Sequence, residues 1–428
     1  MNAWKQLPAR LMQRSAKPKL PIKHSFFKRA MFILLALLMI SVCFNSIACS
    51  NEPPYSWIND TEFNGLSKRE QLDMITVAAW DDGYTWEDNR TAGFSAVAVA
   101  SDGSVYVAGG SNADSFVLKY SKDLVLEREA VHLGKRNLRS IAIAADGAVY
   151  VSGGAYGYGV ILKFDNNLEG ILASVTQEDV MYTAIAVDKD GYLYATASVF
   201  SGLQKNAPAI IIKYDKNLVE QGQGYAEWNK EIEDYYFTSI SIAPDGSVFA
   251  AGYTNDYRYL ISKYSSGLLL QHTESQAGSS GYQDSNNAAA APNIAISIDP
   301  KGNIYIVYTI DDGNSNICKY DNSFIRSSHY VGVEGSIRSL AIAADSTVYA
   351  AGCIYTSDYT ACEAIAVRFN SSLSELNHVN WGGNGNDSFA AIAISPGGDI
   401  YVAGSSSSTD TENTGFFLDK GSVGVVIK

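Results

Sequence analysis

The stretch Leu138–Phe164, LRSIAIAADGAVYVSGGAYGYGVILKF, decides how the whole chain is read. It opens with Ser140-Ile141-Ala142-Ile143-Ala144, passes Asp146-Gly147, and resumes in Val149-Tyr150-Val151. A glycine pair then precedes a third branched run that ends in Lys163-Phe164. Alternation with a period of two puts successive side chains on opposite faces of a strand, and Asp-Gly supplies the backbone of a tight reversal. The stretch therefore predicts antiparallel strands joined by short turns.

Copies of this unit recur to the last residue. Aligned on the aromatic residue of the second strand, they are Tyr106, Tyr150, Tyr194, Phe249, Tyr305, Tyr349 and Tyr401, at intervals of 44, 44, 55, 56, 44 and 52 residues. Each copy but the last closes its third strand with a basic-aromatic pair: Lys119-Tyr120, Lys163-Phe164, Lys213-Tyr214, Lys263-Tyr264, Lys319-Tyr320 and Arg368-Phe369. The last copy ends at Val426-Ile427-Lys428. A period near 45 residues holds four short strands, and one such sheet cannot bury both of its faces alone. The prediction is an all-β fold over residues 74–428: a seven-bladed β-propeller of four-stranded antiparallel blades.

The details of the repeat agree with this. The first strand alternates small with branched residues, as in Ala96-Val97-Ala98-Val99 and Ala391-Ile392-Ala393-Ile394, which suits the narrow inner end of a wedge. The following turn carries proline and glycine in Pro244-Asp245-Gly246, Pro300-Lys301-Gly302 and Pro396-Gly397-Gly398. The sixth copy has Asp345-Ser346, so Ser346 must accept a positive φ at a cost of roughly 1 kcal/mol or distort the turn. The seventh copy lacks a fourth strand, and the run Met74–Trp80 is expected to supply it and close the ring.

One copy shows the repeat most fully: HVNWGGNGNDSFAAIAISPGGDIYVAG, His378–Gly404. An alternating strand, a glycine turn, Tyr-Val-Ala-Gly, a variable loop and a closing Lys-Tyr resemble the seven-bladed β-propeller repeats of bacterial secreted proteins, over about residues 74–428. The resemblance implies a fold and an extracytoplasmic setting. It carries over no catalytic residue, because the repeat has none to match.

Upstream of the repeats, residues 1–29 hold eight basic side chains and no acid, and an apolar run follows from Ala30 to Phe44. A charged segment, an apolar segment and then small residues read as an export signal over residues 1–48. Its end, Ser46-Ile47-Ala48-Cys49, resembles a bacterial lipobox, departing from it at Ser46, and makes Cys49 the expected lipidation site. An ordinary signal peptide and an uncleaved anchor are the alternatives. Residues 49–73, with Pro53-Pro54, read as a tether. The expected address is the bacterial cell envelope or surface, held by lipid or N-terminal anchor, with secretion as the alternative.

The chain carries a net charge of −13, and losing the eight leading basic groups would leave 24 basic against 45 acidic side chains, a balance of −21. Such a body, without a basic stripe, is a poor partner for nucleic acid or anionic lipid.

Candidate chemistry is sparse. His132, His272, His329 and His378 each follow a basic-aromatic pair, on the outermost strand of a different blade, so no three can converge on a metal or a catalytic centre. Asp188-Lys189-Asp190-Gly191 lacks the further oxygen ligands of a calcium loop and fits the ordinary turn. No cofactor and no metal are expected. Cys353 ends a second strand and Cys362 opens the third, so a disulfide across the hairpin mouth is expected, with two unpaired thiols as the alternative; Cys318 reads as a small buried residue.

Arg139 and Arg338 share one repeat position at the start of the innermost strand, where the other copies have Ser95, Thr183, Thr238, Ile294 and Ala390. Both could reach the channel mouth and take a carboxylate or phosphate by forked hydrogen bonds; the plainer reading pairs each with an acid of a neighbouring blade. Tyr156, Tyr158, Tyr257 and Tyr259 stand in or beside variable loops and suit contact with a glycan or protein, or packing between blades. The expansions fall in the fourth-to-first and second-to-third connections, which leave one face of a propeller together.

These readings converge on an exported, lipid-anchored propeller that serves as a binding or assembly scaffold through its long-loop face, with an envelope protein or a glycan as partner. The balance is against an enzyme. The competing classes are a polysaccharide lyase or hydrolase using acidic and tyrosine side chains at the channel mouth, and a purely structural envelope protein.

Overall fold

Seven four-stranded antiparallel sheets account for all 28 strands of the described chain. The structure is a computed structural model, and it describes residues 77–80 and 92–428 apart from 112–113, 132, 135, 156, 200–208, 227–234, 255–257, 277–292, 310–313, 334, 356–360 and 409–422. The expected export signal, Cys49 and the tether lie outside the described residues. Six sheets are built from four strands consecutive in sequence, numbered here first to sixth along the chain from Ala92–Val99 onward.

The seventh sheet is composite. Asp387–Ile394, Ile400–Ser406 and Val423–Ile427 come from the end of the chain, and Val77–Trp80 completes it from the beginning. The closing ladder is antiparallel, with Val77 opposite Ile427 and Trp80 opposite Gly424. The ring-closing strand predicted from the sequence is thus in place over its described part. Trp381 ends the outer strand of the sixth sheet as Trp80 ends that of the seventh.

Innermost strands pack in ring order, and that of the seventh sheet meets that of the first. No sheet has a private core. Buried apolar side chains form seven layers, each between two neighbouring sheets. The layer joining seventh to first brings Tyr401 and Ala403 against Phe94 and Val97. This is an all-β propeller of four-stranded antiparallel blades, in which alternation buries one face of each sheet in the layer before it and the other in the layer after.

The repeat's aromatic and basic residues fasten these layers. The hydroxyls of Tyr106, Tyr150, Tyr194, Tyr305 and Tyr401 donate to the carbonyls of Asn166, Lys216, Ser266, Ser371 and Lys122, each in the third-to-fourth turn of the next sheet. The lysines lie over the same rings, and Lys163, Lys213 and Lys319 donate to the same carbonyls as the tyrosines beside them. Lys428 takes this place over Tyr401 in the seventh sheet, with Asp399 at 3.2 Å. Burial first, then nearby Asp102, pushes Tyr106 up to about 12.

Those third-to-fourth turns hold a feature that was not read from the sequence. Leu124, Leu168, Leu218, Leu268, Phe324 and Leu373 all have φ between 57° and 63°. The residue three positions earlier supports the strained backbone: the Asp165, Asp215, Asp321 and Asn370 side chains each accept two backbone N–H groups. The five leucines are buried, so packing between sheets compensates the left-handed conformation.

In the first-to-second turn, Ser346 has φ 69° and donates its N–H to the Ala343 carbonyl at 2.9 Å, so it accepts the conformation that glycine takes in the other sheets. Glu220–Tyr225 is the outer strand of the third sheet, where an edge tolerates glycine, and a Cβ at Gly224 would lie 3.2 Å from the Tyr264 ring of the fourth sheet.

Candidate anion-binding site

The position shared by Arg139 and Arg338 is a β-bulge. In six sheets the ladder between first and second strands skips one residue: Ser95, Arg139, Thr183, Thr238, Arg338 and Ala390 in turn. The skipped residue has no partner in the ladder, so its side chain leaves the face its neighbours occupy. The fifth sheet keeps a regular register, with Ile294 opposite Tyr308. All seven side chains line one axial cavity of about 200 Å³. It sits at the end of the channel where innermost strands begin, the side from which the long connections leave.

Chemistry divides this ring. Thr183 Oγ1 donates to the Phe237 carbonyl at 2.7 Å, and Thr238 Oγ1 to the Ile294 carbonyl at 2.9 Å, each stitching its sheet to the next. Ser140, Ser239 and Ser339, the residues after the bulge, accept the N–H of Ile185, Ile296 and Ile392 in the following sheet at 3.1–3.2 Å. Arg139 makes no such stitch, and Arg338 reaches the next sheet only by one long contact. Both are exposed, and among the described residues no acid lies within ion-pair distance of either. The plainer expectation, an acid partner on the neighbouring blade, finds none among the described residues. Arg338 has one long contact, from Nη1 to Ser388 Oγ at 3.5 Å.

The second and sixth sheets are three sheets apart one way round the ring and four the other, so the two guanidinium groups flank the cavity from nearly opposite sides. Among the described residues, the cavity is lined by no acid, histidine or tyrosine. Two fixed cations with hydroxyl and apolar neighbours can hold an anion. The described residues of the cavity wall include no carboxylate or imidazole.

Other sequence-predicted positions fare differently. Tyr158 is 46% exposed, with its hydroxyl 3.5 Å from Glu178 Oε1. Tyr259 departs from its expected role as a contact residue, because it is buried between the fourth and fifth sheets. Its hydroxyl is 2.7 Å from that of Tyr320, and its ring is 4.5 Å from that of Tyr308. Tyr156 and Tyr257 lie outside the described residues. Tyr236 and Tyr253 are cross-strand partners at the long-connection end of the fourth sheet, with rings stacked 5.0 Å apart. The sequence shows both tyrosines, but only the register brings them together.

Cys353 and Cys362 lie on paired strands, yet diagonally: Cys353 faces Ala364, and Cys362 faces Tyr355. The strands continue two residues past Cys353, so the cysteines are not directly opposed as the sequence suggested. Their sulfurs are unbonded, and the side chains are hydrogen-bonded to each other. Cys318 is buried, as expected, with its sulfur 3.8 Å from the Tyr308 hydroxyl. His272, His329 and His378 lie on the outer strands of three sheets, while His132 is outside the described residues. His378 is 2.8 Å from Glu375, and Asp188 accepts the N–H groups of Asp190 and Tyr192, which makes it a turn cap.

No family model matches the chain, and no curated protein matches it either. Solved structures do. A streptogramin B lyase structure is similar over 82% of this chain and 97% of that one, at 11% identity and a TM-score of 0.54. The Dos1 propeller is similar over 78% of both chains at 12% identity, with a TM-score of 0.48. A virginiamycin B lyase from Staphylococcus aureus covers 82% of this chain and 99% of its own at 10% identity, with a TM-score of 0.48. At such identities the likeness shows architecture alone, and that architecture is the β-propeller.

Proposed function

We propose that this protein is a binding propeller of the bacterial cell envelope that takes an anionic group of its partner between Arg139 and Arg338. In this reading the composite sheet is the seventh blade of a ring of the kind found in bacterial secreted propeller repeats. The chain is exported and held by a lipid on Cys49. The partner is an envelope protein or glycan carrying a carboxylate, phosphate or sulfate group, and Tyr156, Tyr158 and Tyr257 of the long-connection face add contact area around it.

One observation carries the reading. Two arginines stand on bulges at the mouth of a channel where no acid among the described residues neutralises them, on a body whose overall charge is negative. An unpaired guanidinium offers five donors in a planar fork, which matches an oxyanion. The lyase or hydrolase reading lacks a comparable observation, since the described residues of the mouth lining include neither of the carboxylates it needs.

The test is a titration of the full-length protein with sulfate at low ionic strength. Arg139→Ala combined with Arg338→Ala should weaken binding by about tenfold or more. Because both side chains are exposed and their one contact to a neighbouring sheet, Arg338 to Ser388, is long at 3.5 Å, the melting temperature without ligand should move little. Equal affinity of the wild type and the double variant would remove the site.

A further inference from the structure

The dithiol of the sixth sheet adjoins one of these two arginines. Cys353 lies opposite Ser336 in the ladder, and the bulge residue Arg338 follows two positions later on the same inner strand. Cys353 is 1% exposed and Cys362 half-buried. Cys362 is held from the seventh sheet: its N–H donates to Asn386 Oδ1 at 3.1 Å, and the Asp387 N–H reaches its sulfur. Two thiols in hydrogen-bond contact, placed by two ladders and facing a cation, form a nucleophilic cluster that the binding site does not itself use.

We propose that Cys353 and Cys362 are a reversible thiol–disulfide pair that sets the anion affinity of Arg338. The reduced, singly deprotonated pair presents a thiolate to the guanidinium and competes with an incoming anion. Oxidation removes that charge and releases Arg338. This inference rests on the anion reading of the channel mouth.

The chemistry balances with a low-molecular-weight disulfide such as oxidised glutathione. Cys362, the half-exposed sulfur, attacks as its proton passes to the adjacent Cys353 thiolate, forms a mixed disulfide and expels one glutathione thiolate. The Cys353 sulfur, losing its proton to solvent, then attacks Cys362 and expels the second. The protein gives up two electrons and two protons, and the oxidant's disulfide becomes two thiols. Diagonal placement sets the cysteines farther apart than a directly opposed pair, which favours a bond that reducing thiols can reopen.

Electrostatics agree with this placement. The hydrogen bond from Cys362, and after it the charge of Arg338, hold the Cys353 thiol below its ordinary value, while the same hydrogen bond and burial push Cys362 up. The pair thus loses one proton more readily than an isolated thiol and resists losing a second. Among the described residues, the titratable and charged groups facing it include Arg338 from the inner strand of its own sheet, Tyr355 opposite Cys362 in the ladder, and Asp387 from the seventh sheet. The Asp387 carboxylate is turned toward Ser406 and Ser408.

The experiment uses full-length protein equilibrated with reduced or oxidised glutathione, with peptide mapping of the cysteines and titration with inorganic sulfate, whose charge is constant over the range used. Oxidation should link Cys353 to Cys362 and leave Cys318 reduced. At pH 8 the oxidised form should bind sulfate about three- to tenfold more tightly than the reduced form. As the pH is lowered to 5.5 and the reduced pair takes up its proton, the difference should diminish. Cys353→Ser should bind like the oxidised form under both conditions.

Free thiols at every glutathione ratio would overturn the redox pair. A disulfide that forms without changing sulfate affinity at pH 8 would overturn the coupling while leaving the arginine site intact. Absence of sulfate binding in both forms would overturn the coupling together with the site beneath it.

Discussion

The third and fourth sheets and the second and sixth place the same backbone device at the same level of the ring and use it differently. In the third and fourth, the bulge carries Thr183 and Thr238, whose hydroxyls turn to the next sheet's backbone at 2.7 and 2.9 Å. In the second and sixth it carries Arg139 and Arg338, which line the cavity and find no acid among the described residues. A short hydroxyl can satisfy a neighbouring carbonyl, whereas a long guanidinium extends past it into the channel. The repeat thus builds one scaffold position, and the side chain decides whether it fastens the ring or meets a ligand.

The largest way to break this contrast is to open the ring. Without Val77–Trp80 the seventh sheet loses its outer ladder and leaves Val423–Ile427 as an exposed edge. Deleting residues 50–80 should abolish the cooperative melting transition, and sulfate binding at the arginines should disappear with it. An unchanged calorimetric trace would show that the closing strand is dispensable.

A subtler test separates the two uses of the bulge. Thr183→Val and Thr238→Val each leave a partly buried carbonyl without its donor and should cost about 1 kcal/mol apiece, read from urea unfolding, with sulfate affinity retained. The arginine double variant should give the opposite pattern. If the threonine variants lose affinity while keeping stability, the assignment of roles is reversed.

The smallest effect is expected at the other end of the sixth sheet's inner hairpin. Ser346→Gly relieves a positive φ of 69° in a turn whose counterparts carry glycine, and should stabilise the fold by up to about 1 kcal/mol. The offset is the greater freedom glycine gives the unfolded chain. A loss of stability would mean that the buried Ser346 side chain contributes more than its backbone costs.

Much of this architecture was legible before any coordinate. Strands follow from alternation, which is local, and the repeat multiplies a weak signal by recurring in phase. The missing fourth strand of the last copy pointed to a closing strand before the first copy, and Val77–Trp80 fills that role. Rim placement of the described histidines followed from their place after the basic-aromatic pairs. Even the special position of Arg139 and Arg338 was visible as a departure within an aligned column.

What the sequence by itself determined, then, is the set of strands, their turns and the equivalence of positions, because these depend on neighbours a few residues away. Only the tertiary structure decided what each position faces. Tyr158 is exposed and Tyr259 buried, although both begin third strands after variable loops, because the next sheet covers one and leaves the other open. Tyr106 reaches the Asn166 carbonyl, and Tyr401 reaches Lys122 across a separation of 279 residues, contacts that no local pattern encodes. The bulges, found at this column of the alignment in six of the seven sheets, belong to the paired strands and not to either strand alone.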